Sequence, residues 1–331
     1  MTTYNELAGF RVNYLSSDPT LNSGNEGQVW YNSTSGQLKA LVQIKSWSAG
    51  GNLGTARYSL AGAGTQTEGL AFGGLATTNQ NATEEYNGSS WTAGPSPSIG
   101  NLNVTRGEMM GCGTQTAALG FGGYVSPGNT TSTEKYDGTT WTTSGAMPAA
   151  TRTAGAAGTQ TAALGFGGYT TSPVGTSNAI SFNGTTWSPI TSLPSNRNGP
   201  AGFGIQTAAV SAGGRTSTTD LANTEEWNGS AWTAEGNLGT ARYQFAGSGV
   251  ESAGLVFGGF SGPAVTGSTE LYNGTSWTNT ANMTTARRII GSSTAAPNSA
   301  SLVFGGLAPA QSNATEEFTG AFLSTKTITT S

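Results

Sequence analysis

The sequence predicts an all-β protein built from repeated four-strand segments, and three observations carry that prediction. A hairpin phrase recurs six times, a glycine pair closes an apolar strand in each repeat, and no stretch shows a helical period. The cleanest copy of the phrase is Thr133-Glu134-Lys135-Tyr136-Asp137-Gly138-Thr139-Thr140-Trp141-Thr142. It returns as Tyr86-Asn87-Gly88 with Trp91, Phe182-Asn183-Gly184 with Trp187, Trp227-Asn228-Gly229 with Trp232, and Tyr272-Asn273-Gly274 with Trp277. A sixth copy, Phe318-Thr319-Gly320, keeps the turn and loses the Trp. Asn-Gly and Asp-Gly accept the positive φ angles of a two-residue type I′ turn, so each copy reads as a tight hairpin.

Residues 1–42 lie ahead of the repeats and read as an arm and hairpin. Residues 20–27 form a Ser/Asn/Gly-rich linker. Two β-favouring runs, Gln28-Val29-Trp30-Tyr31 and Gln37-Leu38-Lys39-Ala40-Leu41-Val42, then flank a loop of about five residues, 32–36. The phrase from Glu26 to Lys39 resembles a segment of bacteriophage structural proteins, particularly tail appendages.

From Trp47 the repeats follow one another over residues 43–331. Each opens on an arginine: Arg57, Arg106, Arg152, Arg197, Arg242 and Arg287 stand 49, 46, 45, 45 and 45 residues apart. A run of small and apolar residues follows as a first strand. After a short turn such as Gly158-Thr159-Gln160-Thr161, a second strand ends in a glycine pair: Gly73-Gly74, Gly122-Gly123, Gly167-Gly168, Gly213-Gly214, Gly258-Gly259 and Gly305-Gly306. A variable loop leads into the hairpin phrase, making four strands in about 45 residues, the size of one propeller blade.

These repeats resemble the Kelch family in the glycine pair, the Tyr-Asp-like turn, the Trp about five residues later and the leading Arg. The resemblance implies a six-bladed β-propeller of four-stranded antiparallel blades. The Ala/Gly/Thr-rich first strands and the low charge depart from the family pattern. Copper-radical oxidases built on Kelch-like propellers need His and a Tyr–Cys pair; this chain has no His and one Cys.

Closure of the ring is expected from the N-terminal side. The segment from Trp47 to Tyr58 nearly repeats the segment from Trp232 to Tyr243, so residues 43–48 hold a fourth-strand position with no repeat before them. The competing assignment gives that position to residues 322–329, with Leu323 at the Trp site.

The recurrent polar residues are expected to be structural. Glu84, Glu134, Glu225, Glu270 and Glu316 match the arginines, and a buried charge persists only when paired and hydrogen-bonded. The alternative is a charged ring about a central channel. Two repeats break the pattern: Ile180 stands where Glu is expected, and Ala212 replaces Phe ahead of Arg215 and Asp220. Such departures can mark functional sites. Cys112, between two glycines, is expected to be a small buried residue with no disulfide partner.

Composition narrows the function classes. With 13 basic and 17 acidic residues, unclustered, and a net charge of −4, nucleic acid is not an expected partner. No apolar run nears the ~20 residues of a spanning helix, so membrane insertion is not expected. The first residues lack the pattern of a signal peptide, so export by that route is not expected. With no His, no nucleophile elbow and no motif among the acids, catalysis, cofactors and metals are not expected either.

Binding is the expected activity. The variable loops, residues 75–82, 124–132, 169–178, 215–223, 260–268 and 307–314, emerge on one face of the expected propeller, whereas the hairpin turns are nearly fixed. Candidate ligand residues on that face are Tyr124, Tyr169, Arg215, Asp220 and Phe260. The leading expectation is a non-enzymatic bacteriophage virion protein, a tail appendage or surface-decoration head, in a homo-oligomeric assembly. Residues 1–42 would meet other virion proteins and the propeller a host-surface glycan. An extracellular carbohydrate-binding lectin and an intracellular Kelch-type scaffold are the alternatives.

Overall fold

In the computed structural model, the described residues are 12–20, 27–95, 99–170 and 174–328, without the side chains of 43 and 322–324. Most of the expected linker, part of the third variable loop and the Leu323 side chain therefore fall outside them. All secondary structure among the described residues is β, with no helix. The chain divides into two compact units, Met1–Ser46 with Thr319–Ser331, and Trp47–Phe318. Two long strands, Gln37–Ala49 and Thr315–Thr327, run from one unit into the other.

In the N-terminal unit, strand Val12–Leu15 pairs in parallel with Val29–Asn32, which pairs antiparallel with the start of Gln37–Ala49. Trp30 is fully buried and donates Nε1–H to Asp18 at 3.0 Å. Asp18 also accepts from Asn32 at 2.6 Å and from Lys39 at 2.7 Å. These bonds, the Lys39 one foremost, hold its carboxyl below the usual value.

Among the described residues the repeat unit contains five four-stranded antiparallel sheets. The first orders Ala61–Gly64, Gly69–Phe72, Thr83–Tyr86 and Trp91–Ala93 as neighbours. Equivalent sheets begin at Met110–Thr114, Gly155–Gly158, Ala201–Ile205 and Ala246–Val250. In the last repeat, Gly291–Ser292, Ala300–Phe304 and Thr315–Thr327 are joined by Gln37–Ala49 as the fourth neighbour. The Gly50 N–H donates to the Thr315 carbonyl at 3.0 Å.

The sixth copy makes no turn: Phe318-Thr319-Gly320 runs on inside the strand Thr315–Thr327, because the strand that pairs with it comes from the N-terminal side and no hairpin has to close. The other five turns differ from the expected two-residue type I′ form. Tyr86 pairs with Trp91, leaving four residues between them. The Asn87 Oδ1 accepts N–H bonds from Ser89 at 3.0 Å and Ser90 at 2.9 Å, and only Gly88 takes a positive φ, 88°. Asp137, Asn183, Asn228 and Asn273 accept the same pair of bonds. The side chain mimics a turn of backbone, so the Asn itself needs no left-handed φ.

Neighbouring repeats are joined by recurring contacts. A Trp indole of one repeat lies against the Phe that ends the preceding second strand: Trp141 on Phe72 at 4.8 Å, Trp187 on Phe121 at 4.7 Å, Trp91 on Phe304 at 4.8 Å. Its Nε1–H donates to the preceding Thr hydroxyl, Trp141 to Thr83, Trp187 to Thr133 and Trp277 to Thr224, each at 2.9 Å. Trp47 fills this place for the last repeat, packing on Phe257 and Phe318 and donating to Thr269 at 3.1 Å. Where Ala212 has replaced Phe, Phe203 from the first strand of the same repeat reaches Trp277 at 6.3 Å.

The glycine pair has a packing cause. Gly74 has a φ of +104°, and a Cβ there would lie 2.9 Å from the Tyr58 carbonyl oxygen. Its N–H donates to the Arg106 carbonyl of the next repeat, and the series returns to the start when Gly306 donates to Arg57 at 2.9 Å. A second series is a closed cycle: the Ser59 N–H donates to Ile289, Glu108 to Ser59, Thr153 to Glu108, Gly199 to Thr153, Gln244 to Gly199 and Ile289 to Gln244, at 2.8–3.0 Å.

Among the described residues five Arg–Glu pairs are buried, each within its own repeat: Arg57–Glu84 at 2.7 Å, Arg106–Glu134 at 3.1 Å, Arg197–Glu225 at 2.5 Å, Arg242–Glu270 at 2.7 Å and Arg287–Glu316 at 2.8 Å. Burial pulls Arg106 and Arg242 down to about 10, and the partner carboxylate offsets part of that. Arg152 does not belong to this series. Thr151 holds the framework position, buried, and Arg152 lies one residue on, partly buried beside Glu108 at 3.2 Å. With Ile180 opposite, the third repeat has lost both members of the pair together. Cys112 is buried, and burial pushes its thiol up to about 12.

Candidate functional site

Each repeat sets two residues side by side. The residue after the framework arginine and the residue after the glycine pair form an isolated antiparallel bridge: Tyr58 with Leu75, Gly107 with Tyr124, Arg152 with Tyr169, Asn198 with Arg215, Tyr243 with Phe260, and Arg288 with Leu307. The framework on either side is nearly fixed, so these positions are free to vary. Among the described residues they gather three arginines and four aromatic rings into one arc over repeats two to six.

The arc interleaves guanidinium groups with rings. Arg152 lies between Tyr124 and Tyr169, 5.1 and 5.6 Å from their ring centres. Arg215 lies 4.9 Å over Tyr243 and donates to its hydroxyl at 3.0 Å. Tyr243 meets Phe260 edge-on at 5.7 Å, and Arg288 covers Phe260 at 4.9 Å. A guanidinium on an aromatic face is held in one plane, which presents its N–H donors in a fixed fork.

Two acids neutralise part of the charge. Glu108 pairs with Arg152, and Asp220 with Arg215 at 3.3 Å. Burial raises the Glu108 carboxyl, and Arg152 draws it back. Arg288 has no acidic partner among the described residues; it donates to the Gln244 side chain at 3.1 Å. A shallow recess of about 410 Å³ beside Arg215 is lined by Thr218, Thr219, Asp220, Ser261 and Gly262, which can hydrogen-bond, and by the apolar Ala241.

The inner edge of the arc is strained. Ser59, Glu108, Thr153, Gln244 and Ile289, the residues of the hydrogen-bonded cycle, have φ of 50–58°, and Gly199 completes it at 57°. Thr and Ile are β-branched and pay no visit to this region without a constraint; the cyclic amide bonds supply one. The first strands of all six repeats line a narrow cavity of about 110 Å³, walled largely by Gly, Ala and Ser such as Gly62, Gly111, Gly155, Gly202 and Gly247. The charged ring considered for a central channel is absent from these walls, because the framework arginines are turned into their own repeats.

The five residues expected to contact a ligand, Tyr124, Tyr169, Arg215, Asp220 and Phe260, all lie on this arc. Sequence reasoning missed Arg152, Tyr243, Arg288 and Glu108. For Arg152, Tyr243 and Arg288 the signal was the second variable position, immediately after the framework residue, which spacing alone concealed in the third repeat; Glu108, one residue further on, carried no such signal. The chain matches no protein-family model, and no curated protein is significantly similar to it.

Proposed function

We propose that Trp47–Phe318 is a six-bladed, Kelch-like β-propeller closed by the N-terminal strand, and that its arc binds a polysaccharide on a host bacterial surface. The protein is then a non-enzymatic bacteriophage virion component, a tail appendage or surface-decoration head, with residues 1–42 meeting other virion proteins. The cyclic Ser59-to-Ile289 hydrogen bonds and the place of Trp47 support the closed six-bladed reading.

The observation that carries the ligand class is the set of three arginines laid on four aromatic rings with only two acids among them. Planar guanidinium groups recognise carboxylates by paired N–H bonds. Hydroxyl and backbone groups in the recess beside Arg215 suit sugar hydroxyls. The favoured ligand is a surface polysaccharide that carries carboxylates.

The test is binding of labelled full-length protein to candidate bacterial cells and to their purified polysaccharides, acidic and neutral. Saturable binding to an acidic polysaccharide, weakened by salt and lost in Tyr124→Ala/Tyr169→Ala/Phe260→Ala with an intact thermal transition, is the expected result. Binding that survives those changes would overturn the assignment of the arc.

A further inference from the structure

The third repeat has been stripped of its polar framework as a set. In the other repeats a buried arginine donates to strand carbonyls, as Arg106 does to Gly120 at 3.3 Å and Ser132 at 3.0 Å. The matching glutamate accepts backbone N–H bonds, as Glu134 does from Asn103 at 2.7 Å. In repeat three, Thr151 replaces the arginine, Ile180 the glutamate, and Ala179 the threonine that receives a Trp N–H elsewhere. Pro148 stands at the Asn103 position and has no N–H to offer.

Two of the remaining groups have found other partners. Trp232, deprived of a threonine hydroxyl, donates instead to the Thr191 carbonyl at 3.0 Å. The Thr151 hydroxyl turns to its own chain, donating to Ala149 at 3.1 Å. Four changes together have thus removed a charge pair without leaving a charge behind, the form of loss that a protein tolerates.

The space has not been refilled. A recess of about 230 Å³ lies at this place, its walls mainly Met110, Phe121, Met147, Phe166, Ile180 and Ile190, with the uncharged polar Thr151 and Asn178 beside them. Pro148, Ala149, Pro189 and Ser192 at its rim are exposed, so it opens to solvent. Apolar cavities of this order take up small apolar molecules, and water gains few partners in them.

We infer that the third repeat contains a binding site for a small uncharged apolar molecule, of the size of one or two fused rings. The site is independent of the arc and of the reading given to it. Its walls hold no charged group, so the ligand is held by burial and by contact with methionine sulfur and aromatic faces.

Methionine methyl resonances of the full-length protein, followed while indole is added, test this. Met110 and Met147 line the recess; Met283 is the counterpart of Met147 in the last repeat, where Arg287–Glu316 is intact. Saturable shifts of Met110 and Met147 with Met283 unmoved are expected. Restoring the framework with Pro148→Gly/Thr151→Arg/Ile180→Glu is expected to weaken indole binding about tenfold or more. Should that variant not fold, Ile180→Phe, which places a ring in the recess itself, is expected to do the same. No saturable shift, or equal shifts at all three methionines, would overturn the inference.

Discussion

Trp47 takes the place of the Trp that the last repeat lacks. It packs between Phe257 and Phe318 and donates to Thr269, as the indoles of other repeats do with their neighbours. Trp47→Ala is expected to lower unfolding free energy by about 3–5 kcal/mol in denaturant melts, the usual loss for a buried aromatic. Trp47→Phe keeps the ring and loses one hydrogen bond, an expected cost of about 1 kcal/mol. This role was legible because the segment after Trp47 nearly duplicates the one after Trp232. The role of Arg152 was not: spacing counts arginines, and only the packed strand reveals that Thr151 holds the framework position.

At the scale of an element, the hairpin turns and the Arg–Glu pairs make separate predictions. Asp137 is the single acid among five turn residues that are otherwise Asn. Hydrogen bonds from Thr140 and Thr139 hold its carboxyl well below the ordinary 3.8. A depressed folded value gives stability that is present above the unfolded value and lost as pH falls below it toward the folded one. Asp137→Asn keeps the two N–H bonds, so melts near neutral pH are expected to change little, while the loss of stability below about pH 4 becomes shallower.

For the pairs, Glu134→Ala strands Arg106 in the interior and is expected to cost about 3–5 kcal/mol. Arg106→Thr/Glu134→Ile imports the solution of the third repeat and is expected to cost less than Glu134→Ala alone, measured by the same melts. The fourth repeat shows the intermediate condition: Pro194 has removed the N–H donor, and Glu225 Oε2 has no hydrogen-bond partner. The strands and hairpins were legible from glycine pairs and Asn-Gly phrases, because each answers a local backbone need. The Asx form of the turn was not, since Asn-Gly serves both geometries.

At the scale of the whole repeat unit, long-range bonds link each repeat to the next and the last to the first. Gln115 donates to the Gly69 and Tyr86 carbonyls of the preceding repeat, and Gln66 donates to Phe318. Tyr86 donates its hydroxyl to Glu317, as Tyr136 does to Glu85; burial and that carboxylate push Tyr86 up to about 12. Half of the candidate site was legible, as aromatics after glycine pairs. The other half depends on which residues bridge across strands, and the strained cycle beneath them leaves no mark in composition. Ser, Glu, Thr, Gln and Ile share no property except the φ imposed on them.

The most direct test of the closed six-repeat account is amide hydrogen exchange at Ser59, Glu108, Thr153, Gly199, Gln244 and Ile289. In a closed ring the Ser59 amide is flanked by a repeat on each side like its five counterparts, so all six amides are expected to exchange slowly and with similar free energies of opening. Fast exchange at Ser59, whose N–H bridges the first and last repeats, beside slow exchange at Thr153 and Gly199, would contradict it.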